Sequence, residues 1–126
     1  MNPLNVLTGA MVMRRSIDLE REDGAIWLDA THRYRVFVNA ASEPTSVACD
    51  GATQALGRVF DETQEATAAG VTIVPASMSL RTIIKLRQTS GHPVLLVEDG
   101  SFCGICDEAE IVRALAGSAH ERDGAP

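Results

Sequence analysis

The chain has 126 residues, 45% hydrophobic and 22% charged, and its 11 Lys and Arg against 17 Asp and Glu give a formal net charge of −6. That length allows one domain, or two small units sharing a modest core. An acidic balance without a clustered basic face argues against a nucleic-acid surface, and no apolar run approaches the ~18–20 residues of a membrane span. Three cysteines, an odd count, suit a reducing cytosol better than a disulfide framework. No basic stretch followed by an apolar one opens the chain, so no secretory signal is expected.

From Pro3 to Arg15 the sequence is apolar with a basic end. Leu4, Leu7, Met11 and Val12 lie near helical spacing, which predicts a short helix although Gly9 weakens it. Ser16 to Gly24 is charged and reads as a loop. Ala25 to Asp29 and Tyr34 to Asn39 read as two strands joined by a short turn, with alternation of period two in the second. Ala41 to Pro44 is a turn, and Thr45 to Cys49 a further strand before Asp50-Gly51. Ala52 to Glu62 fits either helix or strand, helix being the reading taken here, and Thr63 to Gly70 is loop-like.

The second half carries stronger punctuation. Val71 to Val74 is a β-branched strand that stops at Pro75. Ser77 and Ser79 offer caps for a helix beginning near Leu80, with Leu80, Ile83 and Ile84 on one face. Gly91 can end that helix in the left-handed conformation, and Pro93 forbids its continuation. Val94 to Val97 is a buried strand, Glu98-Asp99-Gly100 a tight turn, and Ser101 to Cys106 a returning strand. Asp107 caps a last helix whose apolar face is Ile111, Val112, Ala114 and Leu115.

This order of elements resembles a CBS (cystathionine-β-synthase-type) domain. The phrases that carry the resemblance are Val74-Pro-Ala-Ser-Met-Ser-Leu80, Pro93-Val-Leu-Leu-Val-Glu-Asp-Gly100 and Phe102-Cys-Gly-Ile-Cys106. It implies an α/β (α+β) fold with a CBS-type βαββα unit over 71–117. Because such units work in pairs, residues 1–70 are expected to form a degenerate CBS-like, strand-rich half with an N-terminal helix; Val36 stands there where a central Gly is expected. Residues 118–126 are expected to be a disordered tail. A narrower resemblance rests on Asn2-Pro-Leu-Asn-Val-Leu-Thr8, on Ile26 to Val38 and on the closing unit with its polar tail. These look like the C-terminal region of ATP-binding subunits of glycine betaine/choline-type ABC importers, where an ATPase domain precedes a CBS pair.

The sequence contains no G-x-x-x-x-G-K-[ST] phosphate loop, so it is not itself the ATPase. The resemblance implies a non-enzymatic regulatory module, cytoplasmic and peripheral to the inner membrane through the transporter complex. Its implied partners are the parent ATPase domain, the transporter's membrane subunit and a second copy of itself, with no nucleic acid and no direct membrane insertion. The homodimer would form through helices, since Leu80, Ile83, Ile84, Ile111 and Leu115 exceed what so short a chain is sure to cover. Ionic strength is a plausible input, because exposed charges are screened over about 8–10 Å near physiological salt. The competing class is a stand-alone CBS-type protein, or enzyme subunit, that binds a small adenosine-type ligand.

The resemblance also places the ligand-binding positions, at Thr72, Ile73, His92, Pro93, Asp107 and Glu110. Glu110 would meet a ribose diol. Asp107 stands where the family has a hydroxyl residue, and sets a negative charge where a phosphate would approach. Two unit charges ~4 Å apart repel by about 1 kcal/mol in water and about 4 kcal/mol at an effective dielectric near 20. No cofactor is therefore expected, an adenosine-type nucleotide is disfavoured, and a helix-capping role for Asp107 is the simpler reading. Cys103-x-x-Cys106 has redox or zinc spacing, but regular strand alternation would point the two thiols to opposite faces. Arg81, Lys85 and Arg87 give one helix a basic side, Trp27 reads as core, and His32 and His120 fall in a turn and in the tail, so no catalytic set assembles.

Overall fold

Three Asp-Gly pairs turn the chain back on itself. Asp23-Gly24, Asp50-Gly51 and Asp99-Gly100 all have positive φ at both residues, the backbone that a two-residue hairpin needs to match strand twist. The computed structural model describes residues 6–56, 59–61 and 70–124. These form a mixed α+β fold with nine strands in two sheets and three helices.

The first half holds α1 (Gly9–Val12), β1 (Arg14–Arg15), β2 (Arg21–Glu22), β3 (Ala25–Trp27), β4 (Tyr34–Val38), β5 (Pro44–Cys49) and β6 (Ala52–Ala55). Strands β2 to β6 are an antiparallel meander in sequence order. The second half is β7 (Thr72–Pro75), α2 (Leu80–Ser90), β8 (Val94–Glu98), β9 (Ser101–Cys106) and α3 (Glu108–Gly124). Its sheet runs β1-β9-β8-β7, with β7 and β8 parallel across α2 and the other pairs antiparallel.

Two cores lie on opposite faces of this second sheet. Ile73, Leu95, Val97 and Ile105 face the meander and pack with Ile26, Val36 and Val47. Val74, Val94 and Leu96 face the helices and pack with Leu80, Ile83, Leu86 and Ile111. Both helices therefore lie on the same side. A strand covered on both faces needs an unbroken apolar run, which is why all of Val94 to Val97 is buried. Each fully buried Leu or Ile contributes about 1.5–3 kcal/mol.

The short N-terminal helix is present among the described residues as Gly9–Val12, with Val6 also helical; 1–5 lie outside the described residues. The backbone here also bonds to other elements: Gly9 N–H to Met78 O at 2.9 Å, Ala10 N–H to Ala76 O at 2.8 Å, and Leu80 N–H to Leu7 O at 2.9 Å. Leu7 thereby satisfies a first-turn donor of α2 that its own helix leaves free. Several expectations are corrected. The loop expected over Ser16 to Gly24 includes β2, because Asp23-Gly24 closes a hairpin. The helix favoured from Ala52 is instead β6, since the Asp50-Gly51 turn returns the chain along β5. The rest of that stretch, 57–58 and 62, and most of the Thr63–Gly70 loop lie outside the described residues. The first half is strand-rich as expected, yet residues 6–56 contain no parallel pair and no helical crossover among the described residues. The expected disordered tail is helical as far as Gly124, consistent with the helix formers Ala116, Ala119, Glu121 and Arg122. No helix among the described residues is long and apolar enough to cross a membrane.

Candidate functional site

The fold gathers the six expected ligand positions at one end of the second sheet. Thr72 opens β7 beside Val94, which His92 and Pro93 immediately precede, and Val94 pairs across β8–β9 with Cys106, next to Asp107. Sequence neighbours do not explain this proximity; the parallel β7–β8 register does.

At that end, packing and hydrogen bonds take up these residues. Ile73 is in the core between the sheets and Pro93 is fully buried. Thr72 and His92 are half-buried. The His92 Nδ1 and the Tyr34 hydroxyl share a hydrogen bond of 2.7 Å, with the rings edge to face at 5.7 Å. Burial, then the neighbouring Cys49, pushes the Tyr34 hydroxyl above its ordinary pKa, so it stays a phenol. Asp107 Oδ1 accepts hydrogen bonds from Arg87 Nε at 2.7 Å and from Glu108 N–H at 2.9 Å. Asp107 N–H donates to Glu110 Oε1 at 3.0 Å, one of the two hydrogen bonds of a capping box. Glu110 is only 2% exposed, and its other oxygen lies 3.5 Å from Arg14 Nε. The carboxylates at 107 and 110 thus tie α3 to α2 and to β1.

Sequence reasoning found Asp107 and Glu110 but missed their partners. Asp-x-x-Glu was a readable cap signal. Arg87 looked like one of three solvated cations, and it does cover Glu108 at 3.9 Å as well as Asp107. Nothing local marked Tyr34, which meets His92 from 58 residues away.

The cysteine pair also differs from expectation. Leu96 pairs with Gly104 while the next residue, Val97, pairs with Phe102, so Cys103 is the extra residue of a β-bulge. The bulge shifts the alternation, and both thiols face the helical core. Cys103 Sγ lies 3.4 Å from Leu96 O and 3.9 Å from Met13 Sδ. Burial, followed by Glu110 and Asp107, pushes the Cys106 thiol up to about 12, and burial raises Cys103 too. Thiols so disfavoured as thiolates are poor nucleophiles and poor ligands. Among the described residues no group of three or more His, Cys, Asp or Glu is placed to hold a metal ion.

Trp27, expected in the core, lies half-buried on the outer face of the meander. It stacks on His32 at 4.4 Å, and its Nε1–H donates to Glu22 at 3.1 Å. His32 sits at positive φ and pairs with Glu20. A groove of about 370 Å³ runs beside them over β4 to β6. Compared with known proteins, the sequence matches no protein-family model and no curated protein. Fold and site together define a small α+β domain in which His92, Asp107 and Glu110, among the expected ligand positions, are engaged by the chain's own side chains.

Proposed function

We propose that this chain is a non-catalytic regulatory module of the CBS type, from the ATP-binding subunit of a glycine betaine/choline-type ABC importer. The observation that carries the reading is one arrangement: a parallel β7–β8 pair crossed by α2, antiparallel β9, and α3 in the same helical layer as α2. The closed polar clamp at Asp107, Arg87 and Glu110 favours a mechanical role over nucleotide binding at that end. The module would work on the cytoplasmic side, beside the parent ATPase domain and the membrane subunit. Salt or a ligand would alter transport only through unequal affinity for two conformations of the complex.

The proposed self-association is narrower than the sequence implies. Leu80, Ile83 and Ile111 are buried in the chain's own core and Ile84 is half-buried, so they offer little to a partner. Leu115 is 40% exposed and Val112, on the same helix, 57%; together with Met11 on the adjoining α1 they are what the helical layer presents. The test is a thermal-shift and sedimentation series with adenosine, AMP and ATP over a range of salt. The expected result is a dimer weakened by Leu115→Lys, with no nucleotide shift. A Tm rise of several degrees with ATP would overturn the closed-pocket reading, and a monomer at high micromolar concentration would overturn the pairing.

A further inference from the structure

We propose that the outer face of the meander sheet is a binding site for small oxyanions, carboxylate or phosphate, centred on Arg35. The inference is independent of the transporter reading. Sheet register builds the site: Trp27 on β3, Arg35 on β4, Ala48 on β5 and Thr53 on β6 stand side by side in one row. Arg35 occupies the central strand, so rigid backbone supports it on both sides.

Its guanidinium carbon lies 5.3 Å from the Trp27 ring and 5.1 Å from the Phe37 ring. Two cation–π contacts hold the plane in place, but they accept no N–H. Arg35 Nε is buried without a hydrogen-bond partner among the described residues, and no ion pair to Arg35 exists among them. Other arginines of the chain differ. Arg33 is paired with Asp50 at 3.3 Å, and Arg87 with Asp107 at 2.7 Å. A desolvated N–H lacking an acceptor is unfavourable, and the two terminal nitrogens of the same held guanidinium, which lines the groove, offer paired donors that match two oxygens of a carboxylate or phosphate. Space is present for such a group. The groove of about 370 Å³ is walled by Trp27, His32 and Arg33 and floored by the small Ala48 and Thr53, a size that suits a small molecule. Of the charged residues that line the groove, Arg33 is paired with Asp50 and Arg35 is not paired among the described residues, while Glu22 and Glu20 are engaged at its rim by Trp27 and His32.

The chain's single tryptophan touches the proposed site, so its fluorescence reports on it directly. The experiment titrates the full chain with sodium phosphate and, separately, with sodium succinate, at ionic strength held constant with chloride. A saturable fluorescence change is expected with at least one of the two, and which one answers distinguishes phosphate from carboxylate. Arg35→Met, which keeps the aliphatic stem between the rings, is expected to weaken that response by ~10-fold or more, and Arg35→Lys by less, because a point charge replaces the fork. Arg113→Gln, at an exposed position of α3 away from the meander, is expected to change it by less than ~3-fold. Should Arg35→Met fail to fold by circular dichroism, the Arg35 Nε–H resonance of the unmodified chain answers instead: it is expected to move on anion addition. A full response from folded Arg35→Met, an unmoved Nε–H resonance, or binding of a tetraglutamate peptide with no response to either small anion would each overturn the proposal.

Discussion

Replacing Gly9 by Ala tests how the N-terminal strap is held. The reason for glycine here is space: Gly9 is helical, with no positive φ. An added Cβ would lie 2.1 Å from Leu96 Cδ2, 2.8 Å from Ile83 Cδ1 and 3.3 Å from Ala76 O. Carbon contacts are comfortable only near ~3.5–4.0 Å, so the methyl is more than an ångström too close. Leu96 and Ile83 are both 0% exposed and have nowhere to go. Overpacking of this kind costs about 1–3 kcal/mol. If the strap lifts to relieve it, the bonds from Gly9 N–H and Ala10 N–H to Met78 and Ala76 are lost, at about 1 kcal/mol each. The expected destabilisation is about 2–4 kcal/mol, a fall in Tm of roughly 10 °C for a chain of this size. Two controls separate mechanism from composition. Gly91 has φ of +73° and nothing near its absent Cβ, so Gly91→Ala should cost about 1 kcal/mol from backbone strain alone. Gly117 is helical with open space around it, and Gly117→Ala should stabilise by about 0.5–1 kcal/mol. Urea unfolding followed by circular dichroism ranks the three variants. Gly9→Ala no less stable than Gly91→Ala would refute the packing argument.

Two further perturbations probe the candidate site. Tyr34→Phe removes the hydroxyl bonded to His92 at 2.7 Å and should lower stability by about 1 kcal/mol; the loss should vanish when His92 is replaced as well, and additive losses in that double-mutant cycle would deny the coupling. Alkaline pH should destabilise the fold through Cys106, whose pKa rises from an ordinary 9.0 to about 12 in the folded chain. Below pH 9 the thiol is protonated in both states and its contribution is complete. Between about pH 9 and 12 the unfolded chain releases the proton first, so stability falls with rising pH, by at most about 4 kcal/mol across the window. Cys106→Ala should flatten that limb of the stability curve, and an unchanged slope would reject the assignment.

The contrast between the two halves of the chain has a physical origin. From Val71 to Gly117, Ser79 caps α2 by accepting from Thr82 N–H at 3.4 Å, Gly91 closes it at positive φ, and Asp107 starts α3. Each of those signals acts on residues within about four positions, so the boundaries were written locally and could be read locally. Asp50-Gly51 carried the same kind of message, and reading a helix after it discounted a hairpin signal that was present.

Other features depended on which surfaces met. The bulge at Cys103 shows in no spacing rule, and it turns two thiols expected on opposite faces to one face. Leu80, Ile83 and Ile111 were legible as apolar stripes, but whether a second copy or the chain's own sheet would cover them was decided by α2 and α3 packing on that sheet. Tyr34 reaches His92, Arg14 reaches Glu110, and Trp27 leaves the core to stand beside Arg35. Local order alone specified strands, turns and caps, because hydrogen bonds between near neighbours are set by residue type and spacing. The Tyr34–His92 and Arg14–Glu110 contacts came only with the packing of the two halves, and the Arg35 row only with sheet register, because side chains far apart in the chain acquire partners only when their elements pack.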